Sequence, residues 1–268
     1  MGVGRAVKNT VNLSIKDNQN ESEKMDFLVC ISNLYLARWF SGIRYSKFQS
    51  FSKNENPEFW SADIAAIEAR YESELPKDVI VFTGSSSIRK WETLDKDMAP
   101  YPVVNHGFGG SKIADVTYYV DRLITPFQPR AVVLFVGTND INGVAGNSKT
   151  GKDVFKRTKD LITAIHNDLP DIPIYYISIS PTKARWKVWP EGHAANQLVS
   201  KFASEHNYVT FIDTTSQLLS DNGKPNEGLF TWDGLHLNAE GYAVWASVIY
   251  PFLQNDVIAQ ELPNIETE

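Results

Sequence analysis

Asp233 and His236 stand three residues apart in the stretch Trp232-Asp233-Gly234-Leu235-His236-Leu237-Asn238. In a turn, a carboxylate at that spacing can reach back to the imidazole Nδ1–H. It then fixes the tautomer, stabilises the imidazolium and leaves Nε2 to take a proton. The hydroxyl to supply that proton is offered by Thr83-Gly84-Ser85-Ser86-Ser87, where a short apolar run ends and a helical pattern begins. A serine at such a turn lies among free backbone N–H groups and at the positive end of a helix dipole. Negative charge developing on an attacked acyl group would meet donors there. Each piece alone has an ordinary reading: serines at helix starts are N-caps, and an Asp beside a His is often only a solvated pair. The turn is not a nucleotide loop, since no Lys follows, and it lacks the second glycine of the G-x-S-x-G elbow.

Two further stretches complete the chemistry. Asn105-His106-Gly107-Phe108-Gly109-Gly110-Ser111 has three glycines in four positions, which expose backbone N–H groups at no Cβ cost. Its ordinary reading is a tight strand-to-helix connection, and it fits a dinucleotide fingerprint poorly. Gly137-Thr138-Asn139-Asp140 offers a side-chain amide donor, or simply an Asx turn. Nucleophile, base, orienting carboxylate and oxyanion donors are the parts list of acyl transfer. Their occurrence together is far less expected by chance than any one of them.

All of these stretches fall where strands end. Residues 79–82, 102–105, 130–136, 172–180 and 208–212 read as strands. Residues 57–74, 87–94, 112–124, 153–169, 192–206 and 238–253 read as helices. Strands alternating with helices predict a doubly wound, parallel α/β sheet, and Ala131-Val132-Val133-Leu134-Phe135-Val136 is apolar throughout, as a strand covered on both faces should be. Sites in such sheets lie at the carboxyl edge of the strands.

The chain of 268 residues, 43% of them hydrophobic, is long enough for a sizeable core. A net charge of −6 argues against a general nucleic-acid binder. Cys30 is the only cysteine, so no intrachain disulfide is possible. No spacing suggests a metal site, no cofactor is expected, and no apolar run is long enough for a membrane span. Residues 1–56 read as an extension, partly helical or poorly ordered, with Met25 an alternative start. Acidic residues precede the apolar Phe27-Leu28-Val29-Cys30-Ile31, so a cytoplasmic location is expected ahead of a secreted or periplasmic one. Residues 57–256 form the main domain and 257–268 an acidic tail. Oligomeric state is left open.

Over roughly residues 57–254 the chain resembles the SGNH hydrolases, also called GDSL-type esterases and lipases. Gly84-Ser85-Ser86 matches the Gly-Asp-Ser block, Gly110 the oxyanion glycine, Asn139 in Gly-Thr-Asn-Asp the oxyanion asparagine, and Asp233-Gly234-Leu235-His236 the Asp-x-x-His block. Ser85 departs from the usual Asp. The resemblance implies a flavodoxin-like three-layer α/β/α sandwich with strand order 2-1-3-4-5, and serine hydrolysis of esters without a metal or cofactor. It implies Ser86 as nucleophile, His236 as base, Asp233 as its orienter, and Ser86 N–H, Gly110 N–H and Asn139 as oxyanion donors. Short loops at 181–191 and 218–232 suggest a shallow site for small esters with acetyl-type acyl groups. Ser85, His106, Arg185 and Trp186 are expected at its lining, with Trp186 and Trp189 available to stack on a leaving group. A carbohydrate deacetylase or a thioesterase would use the same machinery. A non-catalytic flavodoxin-like binding module is the alternative from another class, although it would not need the Asp233–His236 pair.

Overall fold

The computed structural model describes residues 55–71 and 73–261, with side chains to residue 254. The expected 1–56 extension and 257–268 tail lie outside these residues, apart from Glu55, Asn56 and the backbone of 257–261. Five strands, β1 (Ile80–Gly84), β2 (Val103–Gly107), β3 (Ala131–Phe135), β4 (Ile174–Ile177) and β5 (Val209–Ile212), form one parallel sheet in the order β2-β1-β3-β4-β5. This is the order the resemblance implies. The helices are α1 (Ser61–Glu68), α2 (Ser86–Arg89), α3 (Leu94–Asp97), α4 (Ile113–Tyr118), α5 (Val120–Leu123), α6 (Gly151–Asp168), α7 (Trp189–Ser204) and α8 (Ala239–Glu261). They flank both faces of the sheet in a three-layer α/β/α sandwich.

Every residue of β1 and β3 is buried, as the apolar run at 131–136 predicts. On one face Ile80, Phe82, Val133, Phe135, Tyr175 and Ile177 pack with Ile88, Trp91, Trp245 and Ile249. Trp91 stacks on Tyr242 at 5.3 Å between ring centroids, and Phe135 meets Trp245 edge-on at 4.6 Å. Helix α8, which follows the Asp233–His236 stretch, is thereby locked over β1 and β3. The Tyr242 hydroxyl adds a hydrogen bond to the Ser87 carbonyl at 2.8 Å. Val81, Val132, Leu134, Ile174 and Tyr176 alternate with the first set and are buried on the other face.

The helix expected over 87–94 is instead two short ones with Trp91 between them. The Asn105 side-chain amide donates to the Ile88 carbonyl at 2.6 Å, which favours an early end to α2. The helix expected at 112–124 is divided at Tyr119 into α4 and α5, and the one at 57–74 has 3₁₀ turns at both ends. The strand expected at 172–180 runs only over Ile174–Ile177. Beyond it Asn196 of α7 holds both the N–H and the carbonyl of Ile179, at 2.8 and 2.9 Å, and turns the chain out of the sheet. No helix among the described residues is long and apolar enough to cross a membrane.

Candidate active site

Ser86, Gly110 and Asn139 lie on the segments that leave the carboxyl edge of β1, β2 and β3, and His236, held by Asp233, meets Ser86 there. Strand β1 ends at Gly84, whose φ is +130° and where a Cβ would lie 2.1 Å from the Phe135 carbonyl oxygen. Only glycine fits this close approach of β1 to β3. Ser85 follows in extended conformation and donates its N–H to that same oxygen at 3.0 Å. Its carbonyl accepts from Ile88 and Arg89, which starts α2 at Ser86. As the first helical residue, Ser86 has an N–H with no intrahelical acceptor.

Ser86 Oγ and His236 Nε2 are 2.8 Å apart, and His236 Nδ1 and Asp233 Oδ2 are 2.6 Å apart. The remaining Asp233 oxygen, Oδ1, accepts from Thr231 Oγ1 at 2.8 Å and from the N–H groups of Leu235 at 2.9 Å and His236 at 3.0 Å. Burial by itself would raise the Asp233 pKa. The hydrogen bonds from the His236 ring, the two backbone N–H groups and the Thr231 hydroxyl outweigh it and hold the carboxyl well below the usual range. Thr231 went unnoticed in the sequence, although a hydroxyl two residues before an Asp is a recognisable turn signal.

The donor loops are tied to the same turn. The Gly84 carbonyl accepts from Phe108 N–H at 3.1 Å and from Ser111 Oγ at 3.0 Å, so both ends of the Gly109–Gly110 turn are strapped to the residue before Ser85. Gly109 has a φ of +39° and lies flat against Trp60, where a Cβ would meet the indole at 1.7 Å. Asn139, on the loop after β3, donates one amide hydrogen to the Ser111 carbonyl at 3.0 Å, and its second hydrogen is left for another acceptor. Ser111 therefore orients one expected donor and anchors the loop of another.

The neighbouring Asp140 is fully buried and structural. It accepts from the Ile113 N–H at 3.1 Å at the start of α4, and Arg157 of α6 lies 3.4 Å from its other oxygen. Burial pushes its carboxyl up to about 7, against the Ile113 hydrogen bond and the Arg157 and Lys112 charges. Arg157 also pairs with Glu55 at 2.9 Å, so the loop carrying Asn139 is held by a partly buried charge network.

Ser85 and His106 depart from the expected lining. Ser85 is 2% exposed and belongs to the backbone hinge. His106 is fully buried: its Nδ1 lies 2.7 Å from the Leu123 carbonyl, its Nε2 lies 3.0 Å from the Tyr71 hydroxyl, and its ring packs on Phe127. On β2 it alternates with Asn105 and Gly107, so its side chain enters the core. Burial lowers its pKa to about 4. Trp186 is half-buried, stacked on Trp189 at 6.4 Å, with the Lys224 ammonium 5.0 Å from its ring centre. Arg185 is half-buried beside it. Trp232, next to Asp233, is 99% exposed. A groove of about 420 Å³ lies between α7 and β5, lined by His193, Gln197, Lys201, Phe211 and Asp213 and not by Ser86, Asp233 or His236.

The model of the GDSL-like lipase/acylhydrolase family matches residues 68–244. An N-acylneuraminate cytidylyltransferase of Escherichia coli is 28% identical over 179 residues, 66% of this chain and 40% of the relative. The chain thus spans well under half the length of that curated relative. Among solved structures, a candidate platelet activating factor of Streptococcus pneumonia superposes with a TM-score of 0.65 at 19% identity, covering 78% of this chain and 98% of that one. A family 3 carbohydrate esterase of Talaromyces cellulolyticus gives a TM-score of 0.55 at 16% identity, covering 69% of this chain and 99% of that one. At such identities the likeness is one of fold.

Proposed function

This chain belongs to the GDSL-like lipase/acylhydrolase family and is a carboxylic ester hydrolase, and from that premise we propose that it is a serine esterase removing short, acetyl-type acyl groups through an acyl-enzyme. Ser86 Oγ attacks the ester carbonyl as His236 Nε2 takes its proton. Asp233 keeps the imidazole in the right tautomer and stabilises its charged form. The tetrahedral oxyanion is held by the N–H groups of Ser86 and Gly110 and by the free amide hydrogen of Asn139. His236 returns the proton to the departing alcohol. Water, deprotonated by His236, then attacks the acyl-Ser86 carbonyl, and the acid leaves as Ser86 regains its proton.

The observation that carries this reading is the unbroken line of contacts from Ser86 to His236 at 2.8 Å and on to Asp233 at 2.6 Å. A non-catalytic module has no use for a carboxylate given four hydrogen bonds in order to aim one imidazole at one serine. The short acyl preference is supported by walls made of a single 3₁₀ turn, Lys183–Val188, and the loop that precedes Asp233.

The test is hydrolysis of p-nitrophenyl esters from acetyl to long-chain, with mass-shift labelling by an organophosphonate. Wild-type protein should favour acetyl and take one label on Ser86, and Ser86→Ala should lose both. Unlabelled, inactive wild-type protein would return the reading to a binding module. A rate that rises with chain length would remove the acetyl assignment, and a strong preference for the matching thioesters would make it a thioesterase.

A further inference from the structure

We propose that Arg185 binds a carboxylate on the alcohol half of the substrate, so that the enzyme's preferred esters are acylated acids. This rests on the esterase reading above and adds the class of substrate to it.

The 3₁₀ turn Lys183–Val188 bridges two loops of the site. At its start the Ala184 N–H donates to the carbonyl of Gly234 at 3.0 Å, and Gly234 lies between Asp233 and His236. A Cβ on Gly234 would meet the Lys183 Cβ at 3.2 Å, so the two segments are in close contact. At its end Val188 packs by Gly143, in the loop that follows Asn139, 3.3 Å from where a Cβ would stand. Arg185 therefore sits on a span that runs from the loop of the base to the loop of the oxyanion donor.

Its side chain has no partner within the described residues. Arg185 is half-buried, and its Nε is buried without an acceptor. Of the neighbouring cations, Lys183 pairs with Glu227 at 2.6 Å and Lys224 lies over Trp186, whereas Lys187 is exposed to solvent rather than half-buried. Carboxylates are not scarce in a chain with 32 acidic residues against 26 basic ones. Burying part of a guanidinium with no acceptor is costly, and such a group on the wall between the loop of the base and the loop of the oxyanion donor reads as one awaiting a ligand. Three hydroxyls add to the unmet hydrogen-bonding capacity at the ends of the adjacent strands β3 and β4. Thr138 Oγ1, Ser180 Oγ and Thr182 Oγ1 are all buried without a partner, and the Thr182 carbonyl accepts the Arg185 N–H at 3.2 Å.

The guanidinium fork matches a carboxylate bidentately. The side of the substrate follows from the mechanism. His236 hands its proton to the leaving oxygen, so the alcohol half must lie toward the Asp233–His236 loop, and the turn bearing Arg185 abuts that loop.

The experiment compares glucuronic acid and glucose acetylated at the same hydroxyl, a pair differing in one carboxylate. Wild-type protein should favour the acid in kcat/KM by about 10- to 100-fold, mainly through KM. Arg185→Gln should collapse that ratio, and Arg185→Lys, which keeps the charge but loses the fork, should retain part of it. As a measurement on unaltered protein, free glucuronate should compete with p-nitrophenyl acetate, more weakly as salt is added, and glucose should not. Equal wild-type rates on the pair, or an Arg185→Gln variant that slows both alike, would overturn the proposal. So would glucuronate failing to compete. Loss of all hydrolysis in Ser86→Ala alongside equal rates on the pair would leave the esterase reading standing, whereas undiminished hydrolysis by Ser86→Ala would remove that reading itself.

Discussion

At the scale of single residues, the site divides its labour between groups that touch the reacting atoms and groups that aim them. Asn139 is aimed by Ser111, which uses one amide hydrogen and leaves the other. Asn139→Ala should lower kcat about 10²–10³-fold with little change in melting temperature, and wild-type turnover in that variant would take Asn139 out of the scheme. Asp233 stays ionised well into acid, because its hydrogen bonds hold the carboxyl below its usual range. The Asp233 carboxyl should therefore still be ionised where an ordinary Asp protonates, and a carboxyl carbon signal of Asp233 that titrates at about pH 4 by NMR would contradict this. The identities of these residues were legible from local spacing and from resemblance. The lining was less so: Ser85 and His106 share the expected loops, but strand alternation and a backbone hinge turn them inward.

At the scale of elements, the turn after β1 depends on one missing side chain. Gly84→Ala would drive a Cβ into the Phe135 carbonyl at a φ of +130°. The expected cost is about 2–4 kcal/mol, read by denaturant unfolding, with the Ser86–His236 alignment lost even in the folded fraction. A variant of native stability and activity would show that β1 can move away from β3 freely. The alternation of strands and helices was legible because both periodicities are local. The division of the 87–94 and 112–124 helices was not. It is made by partners far along the chain, such as Asn105 capturing the Ile88 carbonyl.

For the whole molecule, His106 links the sheet to acid stability. Its folded pKa of about 4 lies below the usual imidazole value because of burial. The unfolded chain therefore binds the extra proton first. The stability this neutral ring contributes is fully present above about pH 6.5, and it is lost as pH falls toward about 4. The stability gap between wild type and His106→Gln should narrow across that window in chemical denaturation. A gap independent of pH would mean that the ring does not titrate there. The sequence by itself determined the layered α/β class, the absence of an intrachain disulfide and which residue types were available for acyl transfer. Composition, period and short spacings are properties of neighbouring residues, and a linear chain displays them directly. Only the tertiary structure decided that Ser86 meets His236 across an intervening stretch of the chain, that Arg185 stands half-buried with no carboxylate of its own among the described residues, and that Trp232 is bare. Contact and exposure depend on what the parallel crossovers fold beside each residue, and the covering groups come from remote segments that no local pattern names.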